Sequence, residues 1–152
     1  MKTMTLLTAV LLVVMSASCR TIDSGEKGFR DATAAERARL LKESEQLGDG
    51  ILKAFRDGDL AALQRSMPGE LGRRMTEKDL AASRRNFREK FGDIRDFRIL
   101  TALDTPAFGN LIWVVTVVRQ GTNGTEIRRQ LLFRLVTMEV DGNVEVASCG
   151  FL

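Results

Sequence analysis

The chain has 152 residues, 44% of them hydrophobic and 28% charged, a globular composition that excludes wholesale disorder. The formal net charge is only +3, which does not point to a nucleic-acid partner. The chain has no His and no Tyr. A His base, a Ser-His or Cys-His pair and a His metal site are therefore excluded.

The N-terminal stretch has three parts. Lys2 is positive, Met4 to Met15 is an uncharged run of apolar residues and Thr, and Ser16-Ala17-Ser18 are small. This predicts a signal peptide over residues 1–18, shorter than the about 20 apolar residues of a comfortable membrane span. Small residues ending at Cys19 resemble the bacterial lipobox, although Ser16 stands where that motif usually has Leu. The resemblance implies a lipid attached to Cys19 and a membrane partner reached through it. It also implies an extracytoplasmic location, on the periplasmic side of an outer membrane if the host has one, because Arg20 rather than Asp follows the Cys. An ordinary signal peptide cut near Ala17 or Ser18 would instead leave a free thiol. Residues 19–32, "CRTIDSGEKGFRDA", are mostly polar without an apolar period and read as a tether.

The folded part is predicted over 33–152. "TAAE" from Thr33 has capping-box spacing, so a helix starts there. Leu40, Leu47, Ile51 and Phe55 give it one apolar stripe, and Gly48 and Gly50 are expected to weaken or kink it. "RDGD" at Arg56 to Asp59 is a turn, and "LAALQRSM" is a second helix ended by Pro68-Gly69. Thr76 with Asp79 caps a third helix, with Leu80, Phe87 and Phe91 as its stripe and Gly92 as its stop. Arg84, Arg85, Arg88 and Lys90 on that helix read as a solvated face biased toward the C-terminus, in preference to a basic binding patch.

Beyond Gly92 the period becomes two. "RDFRILTALD", "LIWVVTVVRQ", "EIRRQLLFRLVTMEV" and "NVEVASCGFL" are four strands, with hairpin turns at "GTNG" and Asp141-Gly142. Three N-terminal helices followed by about four antiparallel strands make an α+β fold.

A two- or four-residue hairpin loop pairs odd positions with even ones. On that parity Ile112, Val114, Thr116 and Val118 share the helix-facing side with Ile127, Arg129, Leu131, Phe133 and Leu135. Thr116 and Arg129 are then its polar members, candidates for the mouth of a cavity holding a small ligand, although the preferred reading is that the sheet outruns the helices there and Arg129 reaches solvent. The other side gathers Trp113, Val115, Val117, Leu132, Val136, Ala147, Cys149 and Phe151, too apolar for a face left in water. Trp113, Leu132, Cys149 and Phe151 are accordingly candidates for a homodimer interface, unless a β-bulge turns Trp113 inward.

"ILKAFRDGDLAALQRSMPGEL", "RMTEKDL", "KFGDIRDFRIL" and "VDGNVEVASCGFL" together resemble bacterial domains of unknown function in the nuclear transport factor 2-like superfamily. The resemblance implies three helices packed on the concave face of a curved antiparallel sheet. It also implies a cone-shaped cavity and frequent dimerisation. The isomerase-type site of that superfamily pairs an Asp base with a Tyr donor, and this chain has no Tyr. No Gly-rich phosphate loop is present either, so no cofactor and no metal is expected. The functional expectation is a non-catalytic, lipid-anchored extracytoplasmic binding module. The alternative is a small isomerase- or dehydratase-type enzyme using a carboxylate in the cone.

Overall fold

A computed structural model describes residues 33–104 and 108–152. The predicted signal peptide, Cys19 and the predicted tether lie outside them. Among the described residues four helices come first: α1 (Ala34–Asp57), α2 (Leu60–Ser66), α3 (Glu70–Arg74) and α4 (Glu77–Phe91). Four strands follow, β1 (Asp93–Asp104), β2 (Gly109–Gln120), β3 (Glu126–Val140) and β4 (Asn143–Phe151). They form one antiparallel sheet in the order β1-β2-β3-β4. The sequence predicts three helices; the additional one is the short α3, directly after Pro68-Gly69. Among the described residues no helix is long and apolar enough to cross a membrane.

The helix starts are built as the capping spacing requires. The Thr33 backbone N–H donates to Glu36 Oε2 at 2.8 Å, and the Glu36 N–H donates back to Thr33 Oγ1 at 3.3 Å. Thr76 and Asp79 repeat the exchange at the start of α4. The Thr76 hydroxyl, at 2.6 Å, and the Thr76 backbone N–H both donate to the Asp79 carboxyl and hold it below its ordinary pKa.

α1 runs as one unbroken helix through Gly48 and Gly50. Gly48 is needed for a close approach: a β-carbon there would stand 2.3 Å from the Trp113 ring. A helix backbone pressed onto an indole has no room for a side chain, and that contact outweighs the propensity cost. Gly92 is constrained twice. It turns α4 into β1 with φ of 101°, and a β-carbon there would meet the Val118 carbonyl oxygen at 2.2 Å.

The basic run on α4 is largely tied into local structure. Arg84 Nη2 donates to the Arg56 carbonyl oxygen at 2.7 Å, satisfying an orphan acceptor at the end of α1. Arg88 pairs with Asp93 at 2.7 Å, and Lys90 lies over the Phe91 ring.

The β2–β3 connection corrects the expected parity. Gly121 N–H donates to the Thr125 carbonyl at 2.8 Å, so Thr125 belongs to the loop. The first strand pair is Gln120 with Glu126, and from there odd positions face odd ones: Trp113 opposite Phe133, Val115 opposite Leu131, Val117 opposite Arg129. One extra loop residue exchanges the faces of β2 relative to β3. The tight Asp141-Gly142 turn, with both φ positive at 51° and 80°, joins β3 to β4. A bulge follows between Val136 and Thr137.

The core lies between the helices and one side of this sheet. Leu111, Trp113, Val115 and Val117 of β2, with Phe133 and Leu135 of β3, meet Ile51, Leu52 and Ala54 of α1, Leu63 of α2 and Leu80 of α4. A polar pair is sealed beside it. Ser44 and Thr137 are both fully buried with hydroxyls 2.7 Å apart, and Ser44 donates onward to the Leu40 carbonyl.

Candidate functional site

The space between helices and sheet, where the cone-type reading would hold a ligand, is filled by aromatic rings. Trp113 packs on Phe133 with centroids 5.9 Å apart, Phe133 on Phe151 at 5.4 Å, and Phe151 on Phe87 at 4.6 Å. Phe55 meets Phe87 edge-on at 5.6 Å, and Phe91 stacks beyond Phe87 at 5.2 Å. Such offset and edge contacts are the favoured geometries of packed aromatics. The polar end of Trp113 is satisfied, its Nε1–H donating to Asp49 Oδ1 at 2.8 Å. Among the described residues no buried side-chain polar atom lacks a partner and no carboxylate-rich or Cys-containing cluster could hold a metal.

Trp113, Cys149 and Phe151 therefore do not belong to an outer interface. Odd-to-odd pairing places all three on the helix-facing side: Phe151 opposite Phe133 and Cys149 opposite Leu135, in the same core as Trp113. The inward Trp113 follows from the five-residue loop, not from a bulge in β2. Burial pushes the Cys149 thiol up to about 11. A thiol so desolvated is a packing group, not a nucleophile.

Thr116 and Arg129 do not share a cavity mouth. Thr116 lies on the outer side opposite Gln130, whereas Arg129 lies on the helix-facing side opposite Val117. Arg129 is exposed. A gap of about 50 Å³ between α1, α4 and β1 touches Phe55, Arg84, Phe87 and Ile94, room for a water or two. A second, open depression is lined by Gln64, Met67, Pro68, Gly69 and Arg73.

Leu132 remains on the outer side of the sheet, and the neighbours it has there are not those expected. Ile112, Val114 and Val118 of β2 join Leu132 and Val136 of β3, with Leu103 of β1 beside Asn110. Leu103, near the end of the edge strand β1, and Leu132, on the inner strand β3, are 43% and 38% exposed. Arg134 Nε donates to Asn110 Oδ1 at 2.9 Å across this surface. Both signs of charge border it, Asp96 and Glu126 against Arg98 and Arg128. The alternation of these residues was visible in the sequence; the loop length that says which set faces outward was not.

No family model matches the chain, and no curated protein matches it. Solved structures do. Over 83% of its length and 94% of the other chain, it is similar to RPA3114, a SEC-C motif containing protein from Rhodopseudomonas palustris, at 17% identity and a TM-score of 0.49. It is similar to the NTF2-named chain Rd1NTF2_05, a five-substitution form, over 79% of its own length and 100% of that chain, at 14% identity and a TM-score of 0.42. It is also similar to an NTF-2 like protein of unknown function from Shewanella oneidensis MR-1, over 77% and 96%, at 18% identity and a TM-score of 0.36.

Proposed function

We propose that this chain is a non-catalytic binding module, held to an extracytoplasmic membrane surface by a lipid on Cys19 and paired with a second copy through the outer side of its sheet. The observation that carries the non-catalytic reading is the aromatic filling from Trp113 to Phe91, which occupies the volume a substrate would need. Asp49, the carboxylate bonded to Trp113, serves as the acceptor that lets an indole N–H be buried.

The pairing reading rests on the outer surface. Four strands about 4.8 Å apart and about 12 residues long present roughly 700 Å², close to the roughly 800 Å² per partner of a standard interface. Its middle is apolar, and its rim carries both signs of charge. An isologous contact brings each patch onto itself, so a mixed rim can satisfy a second copy, whereas a rim of one sign would repel it.

Three measurements test the proposal. Wild-type chain is expected in the membrane fraction, and Cys19→Ser in the soluble fraction, since a diacyl group plus an amide-linked chain supplies the two signals stable anchoring needs; an unmodified mature N-terminus by intact mass would refute the lipid. Light scattering of the full chain in detergent is expected to give twice the chain mass; a monomer would refute the pairing. Unexplained density between helices and sheet in a crystal would refute the non-catalytic reading.

A further inference from the structure

β4 covers only half of β3. Its register runs from Asn143 opposite Val140 to Phe151 opposite Phe133, and the last ladder bond is Leu152 N–H to the Leu132 carbonyl at 2.9 Å. From Glu126 to Leu131 the β4 side of β3 has no partner among the described residues. Residues Glu126 to Gln130 are all exposed, so neither a helix nor a loop among the described residues covers this edge. Backbone groups in an antiparallel ladder point alternately to the two neighbours. Leu132 points its carbonyl to β4, so Gln130 and Arg128 point their N–H and C=O groups to the open side.

The open edges of the sheet are β1, the outer side of β4 and this half of β3, and they differ; β4 shifts its register against β3 at Val136 and Thr137. β1 breaks its register twice, between Ile94 and Asp96 and between Ile99 and Thr101, and bulges of this kind spoil an edge for pairing. The free part of β3 keeps an unshifted register with β2 from Glu126 onward. It is a strand half without a bulge, unpaired on this side among the described residues.

We infer that this half, Glu126 to Leu131, accepts an extended peptide carrying carboxylates as a fifth strand of the sheet. The backbone would supply the pairing, and the side chains set the chemistry of the occupant. Arg128 projects on the outer side and Arg129 on the helix-facing side, with Arg119 diagonal to it on β2. Arg128 is bridged to Glu126 at 2.6 Å but is still 69% exposed, and it is free to exchange partners. Ile127, 41% exposed, and half-buried Leu131 flank Arg129 on the same side. The matching strand therefore has adjacent carboxylates opposite Arg128 and Arg129, and apolar side chains opposite Ile127 and Leu131.

Charge also argues against a second copy at this edge. Two β3 edges related by a two-fold axis would pair antiparallel. An axis at Arg128 or Arg129 sets that Arg against its own copy, and like charges directly opposite are destabilising; only axes shifted to Ile127 or Gln130 escape this. An acidic strand reverses that sign.

The test uses the full chain in detergent and a fluorescein-labelled probe, acetyl-Thr-Val-Thr-Glu-Glu-Val-Thr-Thr-amide, with a second probe bearing Lys in place of both Glu. Anisotropy at low salt is expected to show the acidic probe binding and the Lys probe not. Hydrogen exchange at the Arg128 and Gln130 amides is expected to slow when the acidic probe is added. Gln130→Pro removes an N–H that bonds nothing in β2, a placement an edge strand tolerates. It is expected to weaken the probe by at least about tenfold, the worth of one backbone hydrogen bond. Should that variant unfold, Arg128→Glu with Arg129→Glu decides alone, and is expected to reverse the preference toward the Lys probe. Equal binding of the two probes, no binding at millimolar concentration, unchanged binding by Gln130→Pro, or a wild-type dimer that this substitution dissociates would each overturn the inference.

Discussion

The ring of Trp113 lies directly on the backbone of Gly48, with no space between them for even a methyl group. This one contact fixes the distance of α1 from the sheet, and it sets the first prediction. Gly48→Ala gains roughly 1 kcal/mol of helix propensity. It also drives a β-carbon to 2.3 Å from a ring that is fully buried and cannot yield. Overpacking of this kind costs about 1–3 kcal/mol and more where nothing can move, so the variant is expected to be less stable by roughly 1–2 kcal/mol in urea denaturation. A more stable variant would show that the ring moves aside.

Trp113→Glu and Leu132→Glu should behave differently. Trp113 is wholly enclosed and Leu132 is 38% exposed. The first places a carboxylate in the core and is expected to abolish cooperative unfolding, since an unpaired buried charge costs several kcal/mol. The second is expected to keep native circular dichroism while halving the mass seen by light scattering. If Leu132→Glu unfolds the chain, the outer surface is part of the core of one molecule.

The sealed hydroxyl pair offers a double-mutant cycle. Ser44 spends its proton on the Leu40 carbonyl, so Thr137 donates to Ser44. Ser44→Ala leaves the Thr137 hydroxyl buried without an acceptor there, at about 1–3 kcal/mol. Thr137→Val removes the donor and is expected to be milder. The double variant should be more stable than the sum of the two losses predicts, because no orphaned donor remains. Strict additivity would mean that the two hydroxyls do not interact.

Cys149 makes stability depend on alkaline pH. Its folded pKa, about 11, lies above the ordinary 9.0 because burial disfavours the thiolate. Below pH 9 the thiol is neutral in both states and contributes no slope. Between pH 9 and 11 the unfolded chain ionises first, so stability falls as pH rises. Cys149→Ala should lose that part of the slope, read as the difference between the two proteins' urea midpoints across this window. The native thiol is likewise expected to react with a thiol reagent only as fast as the chain opens. Fast, pH-dependent labelling of the native state would contradict the burial.

Much of the fold was legible because it is written in local chemistry. Thr33, Thr76, Gly92 and Asp141-Gly142 act within a few residues of themselves, and their elements begin and end where the sequence says. The role of Gly48 was not legible, since it depends on Trp113, 65 positions later and five elements on. The surface assignments failed at two points. Whether Thr125 closes a loop or opens a strand is decided by one hydrogen bond to Gly121, and Trp113 and Thr116 hang on it; Cys149 and Phe151 hang on the register shift between β3 and β4 at Val136 and Thr137. Leu132 kept its side because β3 alternates correctly in its own frame; it was β2 and β4 that changed sides around it. The free half of β3 depends on where β4 stops pairing, which no periodicity records.

The consecutive strand order has a consequence for how the chain reaches its folded state. Each strand pairs with its immediate successor, so the sheet can zip through short loops that cost little to close. The helices meet their neighbours only in part: α1 packs on α2 close by, but most of its apolar stripe waits for the sheet. Trp113 must arrive 64 residues after the Asp49 that receives its N–H. At roughly 5–20 residues per second of synthesis, α1 waits several seconds with Leu40, Ile51 and Leu52 uncovered. An emerging chain therefore carries a greasy helix long before it owns the strands that hide it, and that interval is when it most needs a holding factor.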